Sequence, residues 1–146
     1  MLRGWRGYGA LMPSLPFPAH VRDLLLQPNP AVVSTLRRDG APVSVATWYL
    51  LEDDDRVLLN MDHTRVRLRH LRRDPRLSLT VTKTDDWYTH VSLVGTVTEL
   101  ADDPDLAGID RLSRHYRDQP YPNRESPRVN AWMTVDTWHG WGQTRA

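Results

Sequence analysis

The sequence contains no cysteine. That absence excludes a disulfide framework, a thiol nucleophile and any zinc or iron–sulfur centre held by thiolates. Lysine is nearly absent too, with Lys83 alone against 18 arginines, and glutamate is sparse beside aspartate. This Arg/Asp-rich balance points to a GC-rich genome rather than to an activity. The net charge is +1, far from the large positive excess of a general nucleic-acid binder. No apolar run approaches the roughly 20 residues that cross a bilayer, and the longest, Val43 to Leu51, is broken by Ser44 and Thr47. Nucleic acid and membrane are therefore not expected partners. There is no Gly-x-Ser-x-Gly, no glycine-rich phosphate loop, and no His-x-x-x-His or Glu-x-x-His, so neither a catalytic triad nor a metal site is expected. Asp53-Asp54-Asp55 lacks the ligand spacing of a calcium loop and reads as a turn.

What is present is one domain's worth of chain, 146 residues with 40% hydrophobic and 25% charged content, enough to bury a core without staples. Met1 to Pro16 carries three glycines and two arginines and no apolar stretch. It reads as a tail rather than a secretory signal, with Met12 a second candidate start and the cytoplasm the expected compartment. Val21, Leu24 and Leu25 have helical spacing, ended by Pro28 and Pro30. Strands are predicted over Ala31 to Leu36, Pro42 to Leu51, Arg56 to Asn60, Arg76 to Thr82, Trp87 to Leu100 and Arg128 to Thr137. Gly40 suits the first hairpin turn, and Gly95 marks a bulge or close approach. A short helix runs to Arg73, capped by Asp62 or Thr64, and a second lies within Ala101 to Tyr116 with Leu106, Ile109 and Leu112 as its apolar stripe. Six hairpin-linked strands with short helices predict a mainly β fold, an antiparallel Greek-key barrel.

The densest chemistry lies in Arg65-Val66-Arg67-Leu68-Arg69-His70-Leu71-Arg72-Arg73. On a helical wheel Arg65, Arg69 and Arg72 project together, Leu68 and Leu71 form the buried stripe, and Arg67 falls on the far side. The guanidinium fork suits phosphate oxygens, and a solvated basic face is the plainer alternative. Of the six tryptophans, Trp48 and Trp87 are each followed by tyrosine on a predicted strand. Alternation puts one member of each pair toward the core and the other toward a surface or a flat ligand.

The series Ala31 to Leu36, Asp39-Gly40-Ala41-Pro42, Trp48-Tyr49, Val57-Leu58-Leu59-Asn60, the basic helix, Asp74-Pro75-Arg76-Leu77-Ser78-Leu79 and Gly95 resembles the flavin/deazaflavin oxidoreductases. These are relatives of pyridoxamine 5′-phosphate oxidase, and the branch using the deazaflavin coenzyme F420 is the most similar. The resemblance spans about Pro18 to Gly142, with the basic helix its most specific part. It implies a split β-barrel over residues 17–146, working as a homodimer with its cofactor in a groove between subunits. It also implies that Asn60, Thr64, Arg65 and Arg67 hold the cofactor phosphate, Arg67 standing where the family usually has Lys. Trp87 falls where relatives place residues beside the cofactor, and Arg69, Arg72 and Arg73 lie within reach of an anionic cofactor tail. The implied activity is hydride transfer from F420 to an electron-poor small molecule. FMN-dependent oxidation or reduction on the same fold is one alternative, and a non-catalytic module holding F420, FMN or haem is the other. No proton donor is identified; Tyr88 and His90 are the candidates offered. Trp132, Trp138 and Trp141 are expected at the subunit interface.

Overall fold

A computed structural model describes residues 15–145. The tail, the alternative start at Met12 and Trp5 fall on positions outside the described residues, apart from Leu15 and Pro16, of which Leu15 already packs against the core. The elements are α1 (Ala19–Leu25), β1 (Ala31–Leu36), β2 (Pro42–Thr47), β3 (Leu50–Leu51), β4 (Val57–Asp62), α2 (Val66–Arg73), β5 (Arg76–Lys83), β6 (Asp86–Asp102), α3 (Ala107–Arg117) and β7 (Arg128–Trp141). A single turn of 3-10 helix, Pro104–Leu106, precedes α3, and another, Gly142–Thr144, follows β7.

All the strand pairs are antiparallel, in the order β2-β1-β5-β6-β7-β4-β3. This order forces closure. In a flat sheet β2 and β3 would lie six inter-strand spacings apart, roughly 29 Å. Yet Thr47 and Leu50 are joined by Trp48 and Tyr49 alone, a span of at most about 11 Å. The sheet must curl until its two edges meet, and the chain crosses the seam at Trp48-Tyr49. The predicted strand Pro42 to Leu51 is therefore two strands, and the sheet has seven segments rather than six. The break occurs because one half must pair with β1 and the other with β4.

The barrel interior is filled from every strand except β2, including Val33, Leu59, Leu79, Leu93 and Met133, and α1 and α2 plug it with Val21, Leu25, Leu68 and Leu71. Trp138, expected at an interface, is instead buried and meets Phe17 edge-on at 6.1 Å. Its place in β7 opposite Leu93 turns it inward. Gly40 takes a φ of 85° in the β1–β2 turn, a left-handed value glycine adopts at little cost.

Gly95 does what its position in a strand suggested. The β6–β7 register shifts between Val94 and Gly95, and a Cβ there would lie 2.0 Å from the Thr134 carbonyl oxygen. Because backbone cannot yield as a flexible side chain does, Gly95→Ala is expected to lower stability by about 1–3 kcal/mol. Urea unfolding measures this, and an unchanged midpoint would contradict so close an approach.

Candidate functional site

A cavity of about 680 Å³ opens beside the seam, between the end of β2, α2, α3 and the start of β7. One wall is aromatic. Trp48 stacks on Tyr116 at 5.3 Å and 11°, and Tyr121 stands edge-on to Trp48 at 6.3 Å. Seam crossing explains the placement, since Tyr49 is fully buried while Trp48, one residue earlier, faces the cavity. The Tyr116 hydroxyl donates to the Asn29 carbonyl at 2.7 Å, and burial raises its pKa, so it stays protonated as a fixed wall. Ile109 and Leu112 of α3 complete the apolar lining, while Leu106, the third residue of the predicted stripe, lies in the 3-10 turn before α3 with a left-handed φ of 58° and outside the lining.

The same cavity also carries cations. Arg67, Arg117 and Arg128 line it, and no described lining residue is acidic. Arg67 is half-buried and has no hydrogen bond or ion pair among the described residues. Burial, then the charges of Arg65 and Arg128, lower its pKa, a sign that the cation lacks a counter-charge. Arg128 lies 4.7 Å over the Tyr121 ring and donates through Nε to Asn60 Oδ1 at 2.6 Å.

Asn60 is at this cavity, but its amide is fully engaged. Nδ2 donates to Asp103 Oδ2 at 2.9 Å and to Asn130 Oδ1 at 2.7 Å, while Oδ1 accepts from Arg128. Asp103, buried, also accepts the backbone N–H groups of Gly108 and Ile109 at 2.7 and 2.9 Å, capping the first turn of α3. One carboxylate thus joins α3 to β4 and β7 and, through Asn60, fixes Arg128.

The other residues singled out from sequence lie elsewhere. Thr64 donates through both N–H and Oγ1 to Asp62 Oδ1, at 2.9 and 2.7 Å, and does not line the cavity. The expected side-chain cap on α2 is absent: Arg65 holds the N-cap position, and Asp62 serves the turn before it. Hydrogen bonds from Ser126 and Thr64 hold the Asp62 carboxyl well below the usual carboxylate range. Arg65 is exposed and contributes charge near Arg67 rather than a wall. Trp87 is 77% and Tyr88 57% exposed, so neither fills the core. They precede His90, where β6 first pairs with β7, and therefore project past the barrel end. His90 is likewise outside the cavity lining.

Arg69, Arg72 and Arg73 stand on another side of α2 from Arg67 and line a separate concavity. Arg117, Tyr116, Tyr121 and Arg128 belong to the site and were not singled out. Asn60 and Asn130, polar residues inside apolar strands, were the one sequence signal for the network that holds Arg128. Among the described residues no cluster of His, Asp or Glu could hold a metal ion, and no helix is long and apolar enough to cross a membrane.

Residues 17–142 match the family model described as pyridoxamine 5′-phosphate oxidase. No curated protein matches the sequence. Among solved structures, the chain is similar to an F420 reductase, with a TM-score of 0.75 and 24% identity over 83% of this chain and 97% of that one. It is similar to a conserved hypothetical protein from Mycobacterium tuberculosis, with a TM-score of 0.71 and 22% identity over 89% and 87% of the two chains. General Stress Protein 26 from Bacillus anthracis gives 0.63 and 15% over 84% and 91%. At these identities the likeness is one of fold, and it agrees with the curled antiparallel sheet. With the family model covering most of its length, the chain belongs to the pyridoxamine 5′-phosphate oxidase family and has its split β-barrel.

Proposed function

We propose that the protein is an F420-dependent reductase that passes hydride to an electron-poor small molecule. One observation carries this reading: a single cavity joins an aromatic wall to three arginines with no acidic residue among its described lining. That is the complement of a ligand with a flat ring at one end and anionic groups along the other. Arg67 and Arg128 would hold the phosphate through charge-assisted hydrogen bonds, and Arg117 would face further negative charge. Trp48, Tyr116, Ile109 and Leu112 would cover the ring system and exclude water. The deazaflavin, when bound, supplies the hydride chemistry, so no triad or metal is required of the protein. FMN is the second reading, because Arg67 and Arg128 alone suffice for one phosphate monoester. Three cations exceed that need, and F420, with its phosphodiester and oligoglutamate tail, uses them better.

Side-by-side titration with F420 and FMN, read through the intrinsic tryptophan fluorescence, to which Trp48 in the cavity contributes, tests the choice. F420 is expected to bind more tightly, with affinity falling more steeply as salt rises. Tighter FMN binding at every ionic strength would replace the deazaflavin reading with the flavin one. Cofactor binding without turnover on enones, quinones or tetrapyrroles would leave a binding module.

The working unit is proposed to be a homodimer. β2 is a sheet edge whose residues 42–46 are exposed on both faces, Val43 and Val45 at 41% each. Val32 and Val94 add apolar surface on the neighbouring strands. An uncharged, valine-rich edge is a liability unless another chain covers it, and β2 ends at the cavity. Sedimentation is expected to give a dimer at micromolar concentration, and Val45→Lys a monomer. A wild-type monomer that still binds cofactor would refute the shared groove.

A further inference from the structure

The arginines of α2 that do not face the barrel cavity form a second concave surface of about 660 Å³ with the β1–β2 hairpin. Arg37, Arg38, Arg69, Arg72 and Arg73 line it, with Val66 on one side and His70 as the floor. No described lining residue is acidic. Outside the basin, Arg22, Arg56, Arg76, Arg111 and Arg124 are each paired with a carboxylate, while Arg65, Arg67, Arg114 and Arg117 are not. Within it only Arg37 is paired, with Asp39 at 2.9 Å on the rim. Arg38, Arg69 and Arg72 have no hydrogen bond or ion pair among the described residues. Five guanidiniums on one concave surface repel one another, in a chain with acids enough to intersperse.

The walls are fixed to each other. Arg73 Nη2 donates to the Leu36 carbonyl at 2.7 Å, tying the end of α2 to the end of β1. Thr35 Oγ1 and His70 Nδ1 are 2.9 Å apart beneath them, both buried. Burial, then the charges of Arg73, Arg69 and Arg37, lower the pKa of His70, so the floor is a neutral polar ring under a ring of cations. The backbone walls are thus held together, while the exposed guanidiniums of Arg38, Arg69 and Arg72 can turn toward an anion. The volume of the basin suits a small ligand. It has no Trp, Tyr or Phe among its described lining on which a base could stack, which disfavours recognition of single-stranded nucleic acid.

We propose that this basin is a second anion site, separate from the barrel cavity, that takes a small molecule presenting two or more linked phosphates. Recognition is of the phosphate chain itself, since nothing in the basin reads a nucleobase.

The test titrates inorganic tripolyphosphate into the full chain at low salt by calorimetry, with Arg69→Ala/Arg72→Ala and Arg67→Ala in parallel. Saturable binding is expected, weakened about tenfold by the double substitution at two exposed arginines and little changed by Arg67→Ala. ATP is expected to match tripolyphosphate, and AMP to bind far more weakly. F420 and FMN affinities are expected to be unchanged in the double variant, whose fold circular dichroism checks. Absence of saturable binding overturns the proposal. So does loss of binding in Arg67→Ala, which would put the probe in the barrel cavity. A parallel fall in F420 affinity in the double variant would make the basin part of the cofactor's seat. Oligouridylate binding that tightens with length beyond tripolyphosphate would make it a nucleic-acid surface. Either result also overturns the proposal.

Discussion

Arg67→Ala is expected to weaken cofactor binding by about 1.5–3 kcal/mol, the range for hydrogen bonds to a charged group. The geometry favours the upper part. Arg67 is half-buried and has no partner among the described residues to be left behind, so its removal subtracts an attraction without exposing a new unpaired group in the free protein. The free protein is expected to be as stable as wild type or slightly more so, because a desolvated cation flanked by Arg65 and Arg128 is relieved. Arg67→Lys should retain part of the affinity, keeping the charge and losing the planar fork. Titration of F420 and FMN into each variant, beside urea unfolding, separates binding from stability. Unchanged affinity for both cofactors in Arg67→Ala would remove Arg67 from the phosphate site.

Asp103→Ala is expected to produce the largest loss of stability, about 3 kcal/mol or more. The substitution removes a helix cap, typically about 1 kcal/mol. It also strands buried donors on Asn60, Gly108 and Ile109, each costing about 1–3 kcal/mol when water cannot reach them. Gly108 leaves no slack for rearrangement: a Cβ there would lie 2.1 Å from Asn130 Oδ1, so α3 already sits hard against the network. Asn60 would no longer be oriented toward Arg128, and cofactor affinity should fall along with the urea midpoint. A variant as stable as wild type would mean that α3 is held by its apolar contacts and Asp103 is incidental.

These two residues differ in how visible they were beforehand. Arg67 stood out on a helical wheel, because a repeat of 3.6 residues separates it from Arg69 and Arg72 using local spacing alone. Asp103 precedes Pro104 at the start of a helical turn, which local sequence alone can indicate. Its second role, joining Asn60 to Asn130, depends on β4 lying beside β7, a pairing between segments 70 positions apart. Arg128 was missed for the same reason. Its neighbours in sequence say only that a strand begins, and its neighbours in space come from β4 and the loop holding Tyr121. The pair Trp87-Tyr88 shows the limit of alternation. The rule assigns one of the two to the core, but it cannot say that β6 extends past its partner at that end, leaving both exposed.

Local chemistry was thus enough for what depends on near neighbours. It gave the hairpin at Gly40, the close approach at Gly95, the apolar stripe of α2 and, in Ile109 and Leu112, most of that of α3, and the mainly β class, along with the exclusion of thiol and thiolate chemistry. Motif order added the family. Tertiary structure decided where the strand after Pro42 breaks, because closing the barrel requires the sheet edges to meet within the reach of two residues. It decided that Trp48 faces a cavity while Trp138 fills the core, because register and curl set which face of a strand is inside. It also divided one run of arginines between two surfaces, because α2 packs with Leu68 and Leu71 inward and leaves Arg67 on one flank and Arg69 and Arg72 on the other.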